Sequence, residues 1–104
     1  MNDKKVDNVN PNHYQGTKCI EFMTVALGEV AVSYFCLGNA FKYLWRYKDK
    51  NKEEDIKKAR WYLDYVSHYI ELEVNSISED VLTAYYRLND LYITITDRIA
   101  NHIE

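Results

Sequence analysis

Asp55-Ile56-Lys57-Lys58-Ala59-Arg60-Trp61-Tyr62-Leu63-Asp64-Tyr65-Val66-Ser67-His68-Tyr69-Ile70 sets the fold class. Its residues Ile56, Ala59, Leu63, Val66 and Ile70 recur at steps of 3, 4, 3 and 4. That alternation follows the α-helical period, so the segment carries one apolar face and one polar face. Glu53, Glu54 and Asp55 stand at its start, where the positive end of the helix dipole favours acids. Asn51 and Glu54 have the spacing of a capping box, in which a carboxylate reaches back to a free amide.

Working upstream, Val30 to Lys48 reads as another helix, with a buried stripe of Tyr34, Leu37, Phe41 and Leu44. Its β-branched opening, Val30-Ala31-Val32, is also compatible with a loop or turn. Gly38 inside it costs about 1 kcal/mol relative to Ala, which points to close approach of another helix or of a ligand. The link Asp49-Lys50-Asn51-Lys52 is short and charged, so the two helices are expected to fold back as an antiparallel hairpin. Before them, Ile20, Met23, Val25, Ala26 and Leu27 suggest a short helix that Gly28 stops. Residues 1–17 read as an extended arm: Asn8, Asn10, Asn12 and Gly16 favour turns, and Pro11 pushes Asn10 out of the α region.

Downstream, Ser76 and Glu79 form a second capping-box pattern. Val81, Tyr85, Leu88, Tyr92, Ile95 and Ile99 follow at steps of 4, 3, 4, 3 and 4, the spacing of a coiled-coil seam. Leu82, Leu91 and Ile103 stand on the opposite face. The seam serves either packing within the chain or a homo-oligomer interface through the C-terminal helix. The expectation is an all-α fold, a small bundle of about four helices. It divides into an arm over 1–17, core helices over 18–74 and a C-terminal helix over 75–104 for packing or oligomerisation.

Composition agrees. The 104 residues hold three Gly and one Pro, too few breakers for a turn-rich β fold, and suit a single domain. The polar N-terminus has no apolar core of a signal peptide, and the longest apolar run, Val30 to Leu37, is too short for a membrane span. The expected location is therefore the cytoplasm, with no membrane partner. Cys19 and Cys36 lie in apolar stretches and read as small buried hydrophobes, not as a disulfide framework. There is no P-loop and no nucleophile elbow. A net charge of −3 argues against binding driven by overall basicity, and no sequence-specific DNA binding is expected.

The charge is segregated, however. Between Lys42 and Arg60 stand eight basic residues against four acidic ones, and the acids concentrate beyond residue 69. Two readings stay open: a solvated charged turn, or a local anion site. Helical spacing puts Asn39, Lys42 and Arg46 on one face beside Phe35 and Tyr43, and puts Asp55, Lys58 and Tyr62 on one face of the next helix. In a hairpin these faces converge. Cations neutralise phosphate, Arg in bidentate fashion and Lys as a point charge, while rings stack on a base and Asn reads polar edges. That set suits a nucleotide; hairpin salt bridges with core aromatics are the alternative. His13-Tyr14 in the arm and Glu21 form a smaller constellation, in which His13 is either a general acid–base or phosphate ligand or an exposed or capping residue. Asp64 and His68 have two-ligand metal spacing, but no third ligand accompanies them, and they read as a solvated pair. No metal site is expected.

Taken together, Asn10-Pro11-Asn12-His13-Tyr14, Ile20-Glu21, Gly38-Asn39-Ala40-Phe41-Lys42-Tyr43-Leu44-Trp45-Arg46 and Asp55-Ile56-Lys57-Lys58-Ala59-Arg60-Trp61-Tyr62-Leu63 resemble the SaV-like family of small tailed-phage proteins. One branch of that family is a nucleotide kinase that phosphorylates deoxynucleoside monophosphates without a P-loop. The resemblance covers about residues 6 to 72. It implies phage origin, residence in the host cytoplasm and a nucleotide-related role. The matching polar residues are His13, Glu21, Asn39, Lys42, Arg46, Asp55 and Lys58.

In an enzyme of this kind Lys42, Arg46 and Lys58 would clamp phosphates, with Tyr14, Asn39, Tyr43 and Tyr62 completing the binding set. His13, Glu21 and Asp55 would be the catalytic candidates, His13 or Glu21 orienting or deprotonating the acceptor, and a nucleoside triphosphate would be the phosphoryl donor. The other reading is non-catalytic: a sponge or regulator that holds a nucleotide or cyclic-nucleotide signal of host defence. A protein-interaction module built on the C-terminal seam is the third.

Overall fold

A computed structural model describes residues 11–73 and 75–102, with side chains described between residues 18 and 101. The fold is all-α. Among the described residues four helices follow one another: α1 (Pro11–Leu27), α2 (Glu29–Arg46), α3 (Glu53–Leu72) and α4 (Glu79–His102). No strand occurs among the described residues. The chain divides into two compact units, Met1–Val32 and Ser33–Glu104.

In the first unit, α1 begins at Pro11, earlier than an extended arm to residue 17 allows. Proline suits this place because its fixed φ matches the helix and its missing N–H has no intrahelical partner there. The rest of the expected arm, residues 1–10, lies outside the described residues. Gly28 stops α1 as anticipated: its φ is +93°, a conformation that penalises a Cβ, and its N–H donates to the Thr24 carbonyl at 2.9 Å. Helix α2 starts immediately, so Val30-Ala31-Val32 is helical and not a loop. Ile20 and Val32 are buried, whereas Cys19 is exposed, contrary to its reading as a core residue.

The second unit holds the hairpin. Helix α2 buries Ser33, Cys36, Leu37, Ala40 and Leu44. Two members of the expected stripe, Tyr34 and Phe41, are instead 44% and 47% exposed. Small side chains on the inner face allow close helix packing, and the larger rings take the flanks. Cys36 is fully enclosed, and burial pushes its thiol up to about 12. Helix α3 buries Ala59, Leu63 and Val66, three of the five residues of its predicted stripe.

Helix α4 packs against α3, with Val81 and Tyr85 buried. The Arg60 guanidinium lies 5.0 Å from the centre of the Tyr92 ring and donates through Nε to Asp64 at 2.9 Å. Part of the seam on α4 is therefore used within the chain. Asp64 takes Arg60 as its partner, and no metal-binding cluster occurs among the described residues.

At both helix starts the side-chain bond falls one or two residues away from the predicted position, and at α3 it bypasses the N-cap residue Lys52. At α3, Asp55 and not Glu54 reaches back, accepting from the Asn51 amide at 3.3 Å. At α4, the Ser78 hydroxyl accepts from the Asp80 N–H at 3.2 Å, while Ser76 donates to Glu73. No helix among the described residues is long and apolar enough to cross a membrane.

A candidate anion-binding face on the helical hairpin

The turn between α2 and α3 is tied by a buried carboxylate. Arg46 donates to Asp55 twice, from Nε to Oδ2 at 3.1 Å and from Nη2 to Oδ1 at 3.3 Å. Asn51 adds its backbone N–H to Oδ2 and its Nδ2 to Oδ1, both at 3.3 Å. Asp55 is 0% exposed, and its two oxygens thus accept four hydrogen bonds. Burial favours the neutral acid, but the bonds from Arg46 and Asn51 outweigh it and hold the carboxyl below its usual range. The same bond to Asp55 raises the Arg46 pKa further, so both groups stay charged at neutral pH.

With Arg46 so held, three cations gather around one ring. Lys42 Nζ lies 4.7 Å from the Tyr43 centroid, Arg46 Cζ 4.9 Å and Lys58 Nζ 5.5 Å. The ring's negative face attracts each of them by roughly 0.5–1 kcal/mol at an exposed site. Their mutual repulsion works against that gathering, by about 1 kcal/mol for a pair 4 Å apart in water. Asp55 offsets one charge. Among the described residues, neither Lys42 nor Lys58 forms an ion pair. The face is left with a surplus of positive charge.

Aromatic surface adjoins it. Tyr43 and Tyr62 stack across the hairpin, with centroids 6.1 Å apart and planes 14° from parallel. Phe35 and Trp61 approach Tyr62 edge-on, at 6.4 and 5.0 Å. Lys42 is exposed, while Asn39, Tyr43, Arg46, Lys58 and Tyr62 are half-buried, so the face remains open to solvent. Asn39 sits one turn before Tyr43 on α2.

The hairpin thus assembles Lys42, Tyr43, Arg46, Asp55, Lys58 and Tyr62 from the predicted set. Asp55 departs from a catalytic role in its geometry: buried and bonded four ways, it has no free lone pair to take a proton. It is a positioning residue for Arg46. His13 and Tyr14 fall in the first turn of α1, and their side chains lie outside the described residues. Glu21 is exposed on α1, in the first unit. Sequence reasoning missed Asn51 as the second anchor of Asp55. The signal was present as an amide four residues before a carboxylate at a helix start.

Fold and face define a small all-helical protein with a cation–aromatic surface on an antiparallel hairpin. The chain belongs to the DUF3310 family, described as proteins of unknown function, whose family model matches residues 9–64. That stretch contains α1, α2 and the cationic part of α3. No curated protein and no solved structure matches it.

Proposed function

We propose that the hairpin face binds a nucleotide, its phosphates on Lys42, Arg46 and Lys58 and its base beside the Tyr43–Tyr62 stack. The observation that carries this reading is the convergence of three cations on Tyr43 with a single, fully engaged carboxylate between them. A phosphorylated ligand relieves the surplus charge, and a π-face accepts any base. The resemblance to small phage proteins supports phage origin and a nucleotide as the anion.

Two uses of the same affinity differ in turnover. One is phosphoryl transfer from a nucleoside triphosphate to a deoxynucleoside monophosphate. The other is retention of an intact nucleotide or cyclic nucleotide. The four-way engagement of Asp55 favours retention, because the carboxylate nearest the cations has no capacity left for proton transfer.

Incubation with each deoxynucleoside monophosphate and ATP, followed by chromatography of the bound and free fractions, separates the two. Intact ligand recovered with the protein supports retention. A newly phosphorylated product supports transfer and overturns retention. Absence of any binding overturns both.

A further inference from the structure

The charged groups of Lys42, Arg46 and Lys58 all lie within 5.5 Å of the centre of the Tyr43 ring, and Asp55 is bonded to Arg46. Three positive charges less one negative leave the hairpin face with +2. Glu54, one turn before Lys58, and Asp49 in the turn are exposed and form no ion pair among the described residues. They do not cancel the excess, because the segment from Lys42 to Arg60 holds eight basic residues against four acidic ones.

Arg46 divides its donors. Nε and Nη2 donate to Asp55. A guanidinium carries five N–H groups, so Nη1 keeps both of its protons and Nη2 keeps one. These form the second edge of the fork, which matches two oxygens of a phosphate side by side. Asp55 is 0% exposed and the Arg46 side chain 33%, so the accessible part of Arg46 is turned away from the carboxylate. Lys42 and Lys58 add two ammonium groups without ion pairs of their own. A terminal phosphate brings three acceptor oxygens to this set and, above a pH of about 6, close to two negative charges. A phosphodiester brings one charge and one unesterified oxygen fewer.

We infer that this face selects a terminal phosphate monoester in its dianionic form and discriminates against cyclic and internal phosphodiesters. The inference rests on the nucleotide reading and narrows it: nucleotides that end in a phosphate are ligands, and cyclic nucleotides are poor ones. A base beside Tyr43 and Tyr62 contributes alike to both classes. The charge and the free oxygens of the phosphate therefore decide between them, through the second edge of Arg46 and the ammonium groups of Lys42 and Lys58.

Calorimetric titration of the full chain with deoxyadenosine 5′-monophosphate and with its 3′,5′-cyclic ester, in EDTA, tests it. At about pH 7.5 the monophosphate should bind roughly tenfold tighter, because its extra charge meets unpaired cations. At about pH 5 only about a tenth of the monophosphate is dianionic, and its affinity should fall about tenfold. The cyclic ester takes up no proton in this range, so any titration of the protein, at His13 or His68 for instance, moves both ligands alike. Lys58→Gln lowers the face to +1 and leaves the Arg46–Asp55 bond in place. It should cost the monophosphate more than the cyclic ester and narrow their ratio, with helicity unchanged. A cyclic ester bound as tightly as the monophosphate overturns the inference and leaves nucleotide binding standing. So does a pH-independent preference for the monophosphate, or an unchanged ratio in Lys58→Gln. Binding of neither ligand overturns both readings.

Discussion

Along one flank of α2, Lys42, Tyr43 and Arg46 are drawn together with α3 by ring stacking and by the buried carboxylate of Asp55. Along the other, Tyr34, Phe41 and Trp45 stand exposed around an unfilled glycine. The first flank carries excess positive charge. The second carries exposed apolar area. One eighteen-residue helix thus presents two unlike surfaces on either side of the buried row of Ser33, Cys36, Leu37, Ala40 and Leu44, and they meet on the solvent side, where Lys42 stands one turn after Gly38.

The sharpest way to break that contrast is to strip charge from the first flank alone. Replacing Lys42 and Lys58 together with Ala should weaken nucleotide binding about 100-fold, from two charge-assisted contacts of at least 1.5 kcal/mol each. Calorimetric titration reads the affinity. Tm should stay at its wild-type value, and a parallel loss of stability would mean that the lysines serve the fold and not a ligand.

Asp55→Ala tests the anchor. Loss of its hydrogen bonds to charged and amide donors should cost about 2 kcal/mol of stability by urea denaturation. Its pH dependence has a definite sign. The folded carboxyl titrates below its unfolded value of 3.8, so its contribution is complete above that value. It fades as the pH falls through the folded pKa. Wild-type stability should therefore drop on acidification below about pH 4, and Asp55→Ala should show less of that drop. Equal acid sensitivity in the two proteins would contradict the anchoring role.

A smaller gain is expected at Lys52, which adopts a φ of +49° at the entry to α3. Lys52→Gly should relieve the left-handed strain and raise stability by about 1 kcal/mol. Thiol chemistry then marks the buried row between the flanks without altering either one. Exposed Cys19 should react with a maleimide at once, while Cys36, enclosed and with its thiol pushed up to about 12, should react only on unfolding.

The helices were legible because their apolar steps repeat at the helical period, most clearly at Ala59, Leu63 and Val66. The hairpin was legible because only a few charged residues join α2 to α3. What misled was size. Tyr34 and Phe41 offer more area to bury than Ser33 or Ala40, yet the small residues are the ones enclosed. The caps shifted because several acids and hydroxyls compete within one turn, and only backbone geometry decides between Glu54 and Asp55, or Ser76 and Ser78. The cation set was readable from spacing. Its tie to Asn51 was not, since it depends on how the turn brings the amide back.

A nuclear magnetic resonance titration with a deoxynucleoside monophosphate bears most directly on the anion-binding face. Shifts should concentrate on Lys42, Tyr43, Arg46, Lys58 and Tyr62, leaving Tyr34, Phe41 and Trp45 unmoved. Inorganic phosphate should move the cations but spare the rings. No response on the hairpin, or a response centred on Tyr34, Phe41 and Trp45, would contradict the assignment.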